Sequence, residues 1–263
     1  LTKNDEVTRT VCDSDDEDNI YFDVVEWPRQ VTGVVALQAF KTHRGSTTLA
    51  SSGATVTITE GVDYSLDAST TINDAFIRLT NTRHSGMGKT SGGGNQNSDD
   101  YTVTVQNPDN LLTSITFDRL GTSGDCRISW EIIEYIGLTG GDNKIIVRDV
   151  GKIVTSATTD ATIDGATIST IDDKNKACIF ITGQRTEDTF RNYPHSGYFT
   201  AEFIASGDDW IPRFTRGEDR SLHGHVSYAV VEFTGDNWRN VTRDAFDSDT
   251  GGPYWYTSSN GPI

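Results

Sequence analysis

Three stretches of this chain end in the same four-residue string of two aliphatics, a glutamate and an aromatic. They are Val24-Val25-Glu26-Trp27, Ile132-Ile133-Glu134-Tyr135 and Val230-Val231-Glu232-Phe233. Each string closes a run rich in β-branched and aromatic residues, Ile20-Tyr21-Phe22-Asp23, Ile128-Ser129-Trp130-Glu131 and Val226-Ser227-Tyr228-Ala229. Such runs suit a strand and not a helix, because branched and aromatic side chains pack well on a pleated surface. The three glutamates stand roughly 100 residues apart, about the span of one small β-sandwich domain. The chain therefore reads as a repeat array.

The likeness extends upstream. Phe117-Asp118-Arg119 precedes the middle copy and Phe214-Thr215-Arg216 the last, each followed by a polar loop containing glycine. Phe-x-Arg, loop and strand together read as a hairpin. Val7-Thr8-Arg9 stands in the same place before the strand from Ile20, so residues 7–27 read as the final hairpin of a repeat that begins before Leu1. Thr, Ser, Gly, Asn and Asp fill the spaces between short apolar runs, as in all-β proteins. The expected fold is all-β, with tandem β-sandwich domains of immunoglobulin-like size and partial units at both ends. Residues 1–27 form a terminal hairpin or N-terminal arm in this reading, 28–137 the first repeat, 138–235 the second, and 236–263 a C-terminal extension.

Within the first repeat, Val31 to Phe40 is apolar and β-prone, and Lys41 to Gly53 reads as a polar turn region with His43-Arg44-Gly45 at its tip. In the second, Lys144-Ile145-Ile146-Val147 takes the place of Val34-Val35-Ala36-Leu37, and Ala177 to Thr182 matches Ala75 to Thr80. Gly235-Asp236-Asn237 echoes Gly141-Asp142-Asn143 and reads as the opening of a third unit. Alternation along the closing strand puts Ile128, Trp130, Ile132 and Glu134 on one face, and Ser129, Glu131, Ile133 and Tyr135 on the other. The first face is apolar early and the second is apolar late. A two-layer sandwich covers one face only, so the late residues need a further cover or a bulge that turns them inward, and the next unit is the nearest cover. Trp27, Ile133, Tyr135, Val231 and Phe233 are accordingly expected at interfaces, as are Tyr254, Trp255 and Tyr256, which have too little chain around them to bury themselves.

Composition and motifs limit the chemistry. A net charge of -16 opposes binding to nucleic-acid backbones or anionic membranes, and no apolar run is long enough to span a bilayer. Cys12, Cys126 and Cys178 occupy different places in their repeats, which favours free thiols over a disulfide framework. His223-Gly224-His225 is the usual start of a metal site, but no third ligand follows at comparable spacing; a solvated strand-start pair is the expectation. Asp13-Ser14-Asp15-Asp16-Glu17-Asp18 crowds five carboxylates together. It makes Asp13, Asp15 and Asp18 the calcium candidates, yet the central glycine of an EF-hand loop is missing, and mutual repulsion favours a solvated tip. Calcium is thus the one cofactor entertained. Ser91-Gly92-Gly93-Gly94-Asn95 lacks the order of a phosphate-binding loop. No nucleophile elbow or paired-carboxylate site marks a catalytic centre. Trp210, Trp238 and Trp255 suit either sugar stacking or a core.

The repeated motif resembles the tandem β modules of virion structural proteins of tailed bacteriophages. Phe117, Arg119, Trp130, Ile132, Ile133, Glu134 and Tyr135 carry the likeness in one unit; Phe214, Arg216, Tyr228, Val230, Val231, Glu232 and Phe233 carry it in the other. The resemblance implies a non-enzymatic part of a virion exterior, a tail, fibre or capsid decoration. Its partners would be copies of itself or neighbouring virion proteins, with a host-surface glycan as a further ligand and neither nucleic acid nor membrane. Two rival classes share the repeats and the acidic surface: a secreted cellular adhesin or surface filament, and an extracellular glycan-binding module.

Overall fold

The computed structural model describes residues 29–32, 35–50, 53–84, 102–120, 124–156, 161–186, 199–216 and 223–238. The readings placed on 7–27, Cys12, Asp13, Asp15, Asp18, Trp27, the glycine-rich segment, Tyr254, Trp255 and Tyr256 lie outside these residues. The fold is all-β and is built from small antiparallel sheets. Arg29–Thr32 (β1) and Val35–Gln38 (β2) pair as a hairpin. Then come six strands, Phe40–Leu49 (β3), Thr55–Thr59 (β4), Ala75–His84 (β5), Thr104–Val105 (β6), Ser114–Asp118 (β7) and Cys126–Tyr135 (β8). Six more follow in the same plan: Ile145–Val154 (β9), Thr162–Asp164 (β10), Ala177–Thr186 (β11), Phe199–Ser206 (β12), Asp209–Arg216 (β13) and Gly224–Phe233 (β14).

The repetition extends to the pairing. Sheet order β3-β8-β5 recurs as β9-β14-β11, and β4-β7-β6 as β10-β13-β12. The closing strand is thus the centre of each main sheet, flanked on both sides. Its inward residues Ile128, Trp130 and Ile132 share one buried cluster with Ile58, Val105, Ile115 and Phe117 of the facing sheet. In the second unit Val226, Tyr228 and Val230 do the same with Phe214 and Phe199. Each fully buried side chain of this size contributes about 1.5–3 kcal/mol.

Three sequence readings are corrected here. The Phe-x-Arg arm and the closing strand do not form a hairpin: β7 and β13 belong to one sheet of their unit, β8 and β14 to the other. The polar loop between them crosses from layer to layer, and the arginine holds that crossing. Arg119 is buried and donates to the carbonyls of Ala50 (2.9 Å) and Gly124 (2.7 Å). Its backbone N–H donates to Ala54, as that of Arg216 does to Ala161, each at 2.9 Å. A short polar glycine loop looks the same in sequence whether it turns within a sheet or passes between two.

The second correction concerns His43-Arg44-Gly45, which lies inside β3 and not at a turn. Its order comes from the ladder to β8, Phe40↔Tyr135 through Leu49↔Cys126. Gly45 is required there because a Cβ would run into the Trp130 indole. The third follows from it. Since Ile145 pairs with Phe233 as Phe40 pairs with Tyr135, β9 corresponds to β3 and not to the stretch from Val34. Ala75 and Ala177 do stand in equivalent places, opposite Glu134 and Glu232.

Candidate functional site: the seam between the repeated units

Both glutamates of the repeated string are buried, and both hold the loop that leads into the third strand of their own unit. Glu134 accepts from the Asp67 N–H (2.7 Å), from His43 Nε2 (2.8 Å) and from the Thr70 hydroxyl. Burial pushes its carboxyl up, but the Thr70, His43 and Asp67 bonds and nearby Lys41 outweigh that and hold it below the usual range. Glu232 accepts from the Asp173 N–H (2.8 Å) and from Arg148 (2.7 Å at Nε). The glutamate of the motif is therefore a clamp on a loop, and the aromatic after it has a different task.

Ile133 and Tyr135 point away from the core of their own unit, as alternation requires. They meet Phe40 and Phe76 of the first unit and Ile145, Val147, Ala229, Val231 and Phe233 of the second in one buried cluster. Phe76 stacks on Phe180 at 5.0 Å between ring centres, and the Tyr135 ring meets Phe40 edge-on at 5.5 Å. Tyr135 donates its hydroxyl to the Leu138 carbonyl (2.7 Å). Burial, with Asp74 and Asp142 nearby, pushes its pKa up. Of the residues singled out in the sequence, Ile133, Tyr135, Val231 and Phe233 are thus brought together.

The upper part of the seam is polar. Asp118, at the end of β7, lies 2.9 Å from Lys152 Nζ and 3.1 Å from Arg185 Nη2, both in the second unit. Thr104 donates to the same carboxylate at 2.6 Å. Burial alone would raise the Asp118 pKa; the Thr104 and Lys152 bonds and the Arg185 charge bring it below its ordinary value. Beside this cluster Ser227 is wholly buried, accepting from the Val105 N–H (3.1 Å) and donating to the Gly183 carbonyl (3.2 Å). Gly183 is needed because a Cβ would press on the Val103 carbonyl at 2.8 Å. Val103 and Gln184 form an antiparallel bridge across the seam.

No family model, no curated protein and no solved structure matches this chain. The chemistry of the site therefore rests on its own geometry. The seam joins two units through an apolar base and a charged top. At its lower edge an open cleft of about 190 Å³ is lined by Asp67, Thr70, Asp74, Tyr135 and Lys144, among others. That is below the roughly 300 Å³ of ordinary small-molecule pockets.

The remaining sequence candidates fall elsewhere. His223 precedes β14 and its Nδ1 lies 2.6 Å from the Thr155 carbonyl. His225 is buried on the seam face of β14 and not solvated, which corrects the reading of a water-exposed pair; the cause is the cover that the first unit supplies. Among the described residues no group of three or more His, Cys, Asp or Glu side chains could hold a metal ion. Cys126 is buried and Cys178 half-buried. Trp238 packs edge-on against Phe233 (4.9 Å) and Phe40 (6.3 Å), and Lys174 Nζ sits 4.6 Å over the Trp210 ring. Gly235-Asp236-Asn237 folds back on its echo: the Gly235 N–H donates to Lys144 and that of Asn237 to Asp142, while the Asn237 side chain bonds Asn143 (2.9 Å). The ion cluster was missed in the sequence. Its one signal is the exchange of Asp118 for Thr215 between otherwise matching Phe-x-Arg strings.

Proposed function

We propose that this chain is a non-enzymatic structural protein of a virus particle, a phage tail, fibre or capsid decoration, that assembles through tandem β-sandwich modules. The observation that carries the reading is the seam. The motif that repeats along the chain spends its Phe and Arg on the core and the layer crossing, its Glu on a loop clamp, and its last aliphatic and aromatic on the contact between units. Repeated chemistry spent on joining modules is what a load-bearing array needs, and a buried ionic contact fixes the register of such a joint. An acidic exterior, at -16 net charge, keeps the array soluble and away from nucleic acid.

Electron microscopy of purified virions with a gold-labelled antibody to this chain tests the reading. Label on the exterior of heads or tails is the expected result. Label confined to filaments on cells would replace the reading with a secreted adhesin.

A further inference from the structure

A buried polar atom that finds no partner loses its water for nothing, so native interiors keep few of them. Arg185 has two. Its side chain is only 9% exposed and its Nη2 lies 3.1 Å from Asp118 Oδ2, while its Nε and Nη1 are buried and have no hydrogen-bond partner among the described residues.

The register of the second unit explains where this guanidinium points. Arg185 stands on β11 opposite His225 of β14, and Lys152 stands on β9 opposite Ser227. From the two strands that flank β14 they converge on one oxygen, Asp118 Oδ2. That carboxylate has nothing more to give. Lys152 Nζ reaches both of its oxygens (3.0 and 2.9 Å), Thr104 donates to Oδ1 (2.6 Å) and Arg185 takes Oδ2, which fills the roughly four lone-pair positions of a carboxylate.

Nor do the charges balance. Lys152 is 15% exposed and Asp118 10%, so two largely buried cations share one carboxylate, and among the described residues no second acidic side chain pairs with either. His225, the other titratable group on this patch, has no anionic form to contribute. The cluster therefore lacks one negative charge and one acceptor. A water would supply the acceptor and leave the excess charge in place, whereas a monovalent anion supplies both. Guanidinium is suited to the task, because its planar donors are fixed and stay charged.

We propose that the β11 side of the seam is a binding site for a small monovalent inorganic anion such as chloride, held by the unpartnered donors of Arg185 beside the Asp118–Lys152 pair. The anion completes a neutral cluster of four charges and tightens the joint between the units. The proposal concerns that joint and does not rest on what the modules build.

The test is thermal unfolding of the whole chain at neutral pH and a fixed ionic strength of about 0.2 M, with sodium gluconate replaced stepwise by sodium chloride so that screening stays constant. The melting temperature of the parent is expected to rise and level off, by about 3–6 °C in all, as it does for a ligand of the folded state. Arg185→Gln and Lys152→Gln each remove the excess charge and should flatten the response to less than about 1 °C. Asp118→Asn doubles the excess and should bring the half-point to lower chloride. A parent insensitive to chloride overturns the proposal, and so does a response of the same size in Arg185→Gln and Lys152→Gln. If those chains do not fold, the chlorine NMR linewidth of the folded parent decides: an excess that saturates with chloride supports the site, and no excess overturns it.

Discussion

β8 and β14 carry the same motif at the centre of equivalent sheets, yet their outer faces live in different solvents. On β14, His225, Ser227, Ala229, Val231 and Phe233 are all buried. On β8, Arg127 is exposed and Ser129 half-buried, while Glu131, Ile133 and Tyr135 are buried. The serines make the point most sharply, since the same residue at the same ladder position is half-buried in one unit and a wholly buried cross-unit bridge in the other. A strand of this kind has one face fixed by its own sandwich, and the other is fixed by whichever module covers it. The residue at each outer position follows the cover: Glu131 is buried beneath Arg44 and Arg78, two arginines whose guanidinium groups reach water, and Ala229 is buried at the covered position.

The largest effect should come from the apolar base. Phe76→Ala removes a fully buried ring stacked on Phe180 and is expected to cost about 3–5 kcal/mol in urea unfolding. Cys178→Ala, at the equivalent position and half-buried, should cost about 1 kcal/mol. Equal costs would break the comparison.

Next comes the ion cluster. Asp118→Asn leaves Lys152 and Arg185 facing each other without their carboxylate, and should cost about 3 kcal/mol at neutral pH. The folded pKa of Asp118 is depressed below 3.8 and that of Glu134 below 4.5. Their contributions are therefore complete above those values and are lost as pH falls through the lower folded ones. Unfolding of the parent between about pH 5 and pH 2 should show this loss, and the Asp118→Asn chain should show less of it. Parallel acid profiles would remove Asp118 from the account. Smallest of all is Arg44→Ala. Its side chain is mostly exposed, so the pair with Glu131 should be worth no more than about 1 kcal/mol, checked by the same urea titration.

What was legible in the sequence and what was not divides along physical lines. The closing strands β8 and β14 were visible because their inward positions and their late outward ones are β-branched or aromatic and buried. The equivalence of β5 and β11 was visible for a related reason, since Ala75-Phe76-Ile77 and Ala177-Cys178-Ile179 head both strands. β3 was hidden because His43 to Thr48 is polar, and its order is borrowed from the ladder to β8. The layer crossing after Phe117 was hidden because loop composition does not say which sheet receives the next strand. At the seam, alternation alone marked Ile133, Tyr135, Val231 and Phe233 as needing a cover. Asp118, Lys152 and Arg185 come from strands that only the fold brings together, and no local pattern marks their meeting.

The comparison of the two outer faces is tested most directly by placing the same charge at both serines and melting the two chains side by side. Ser129→Lys puts an ammonium on a face that water reaches, and its melting temperature should stay within about 2 °C of the parent. Ser227→Lys forces the same group between the Val105 amide and the Gly183 carbonyl and should lower the melting temperature by roughly 10 °C. Equal shifts in the two chains would contradict the account.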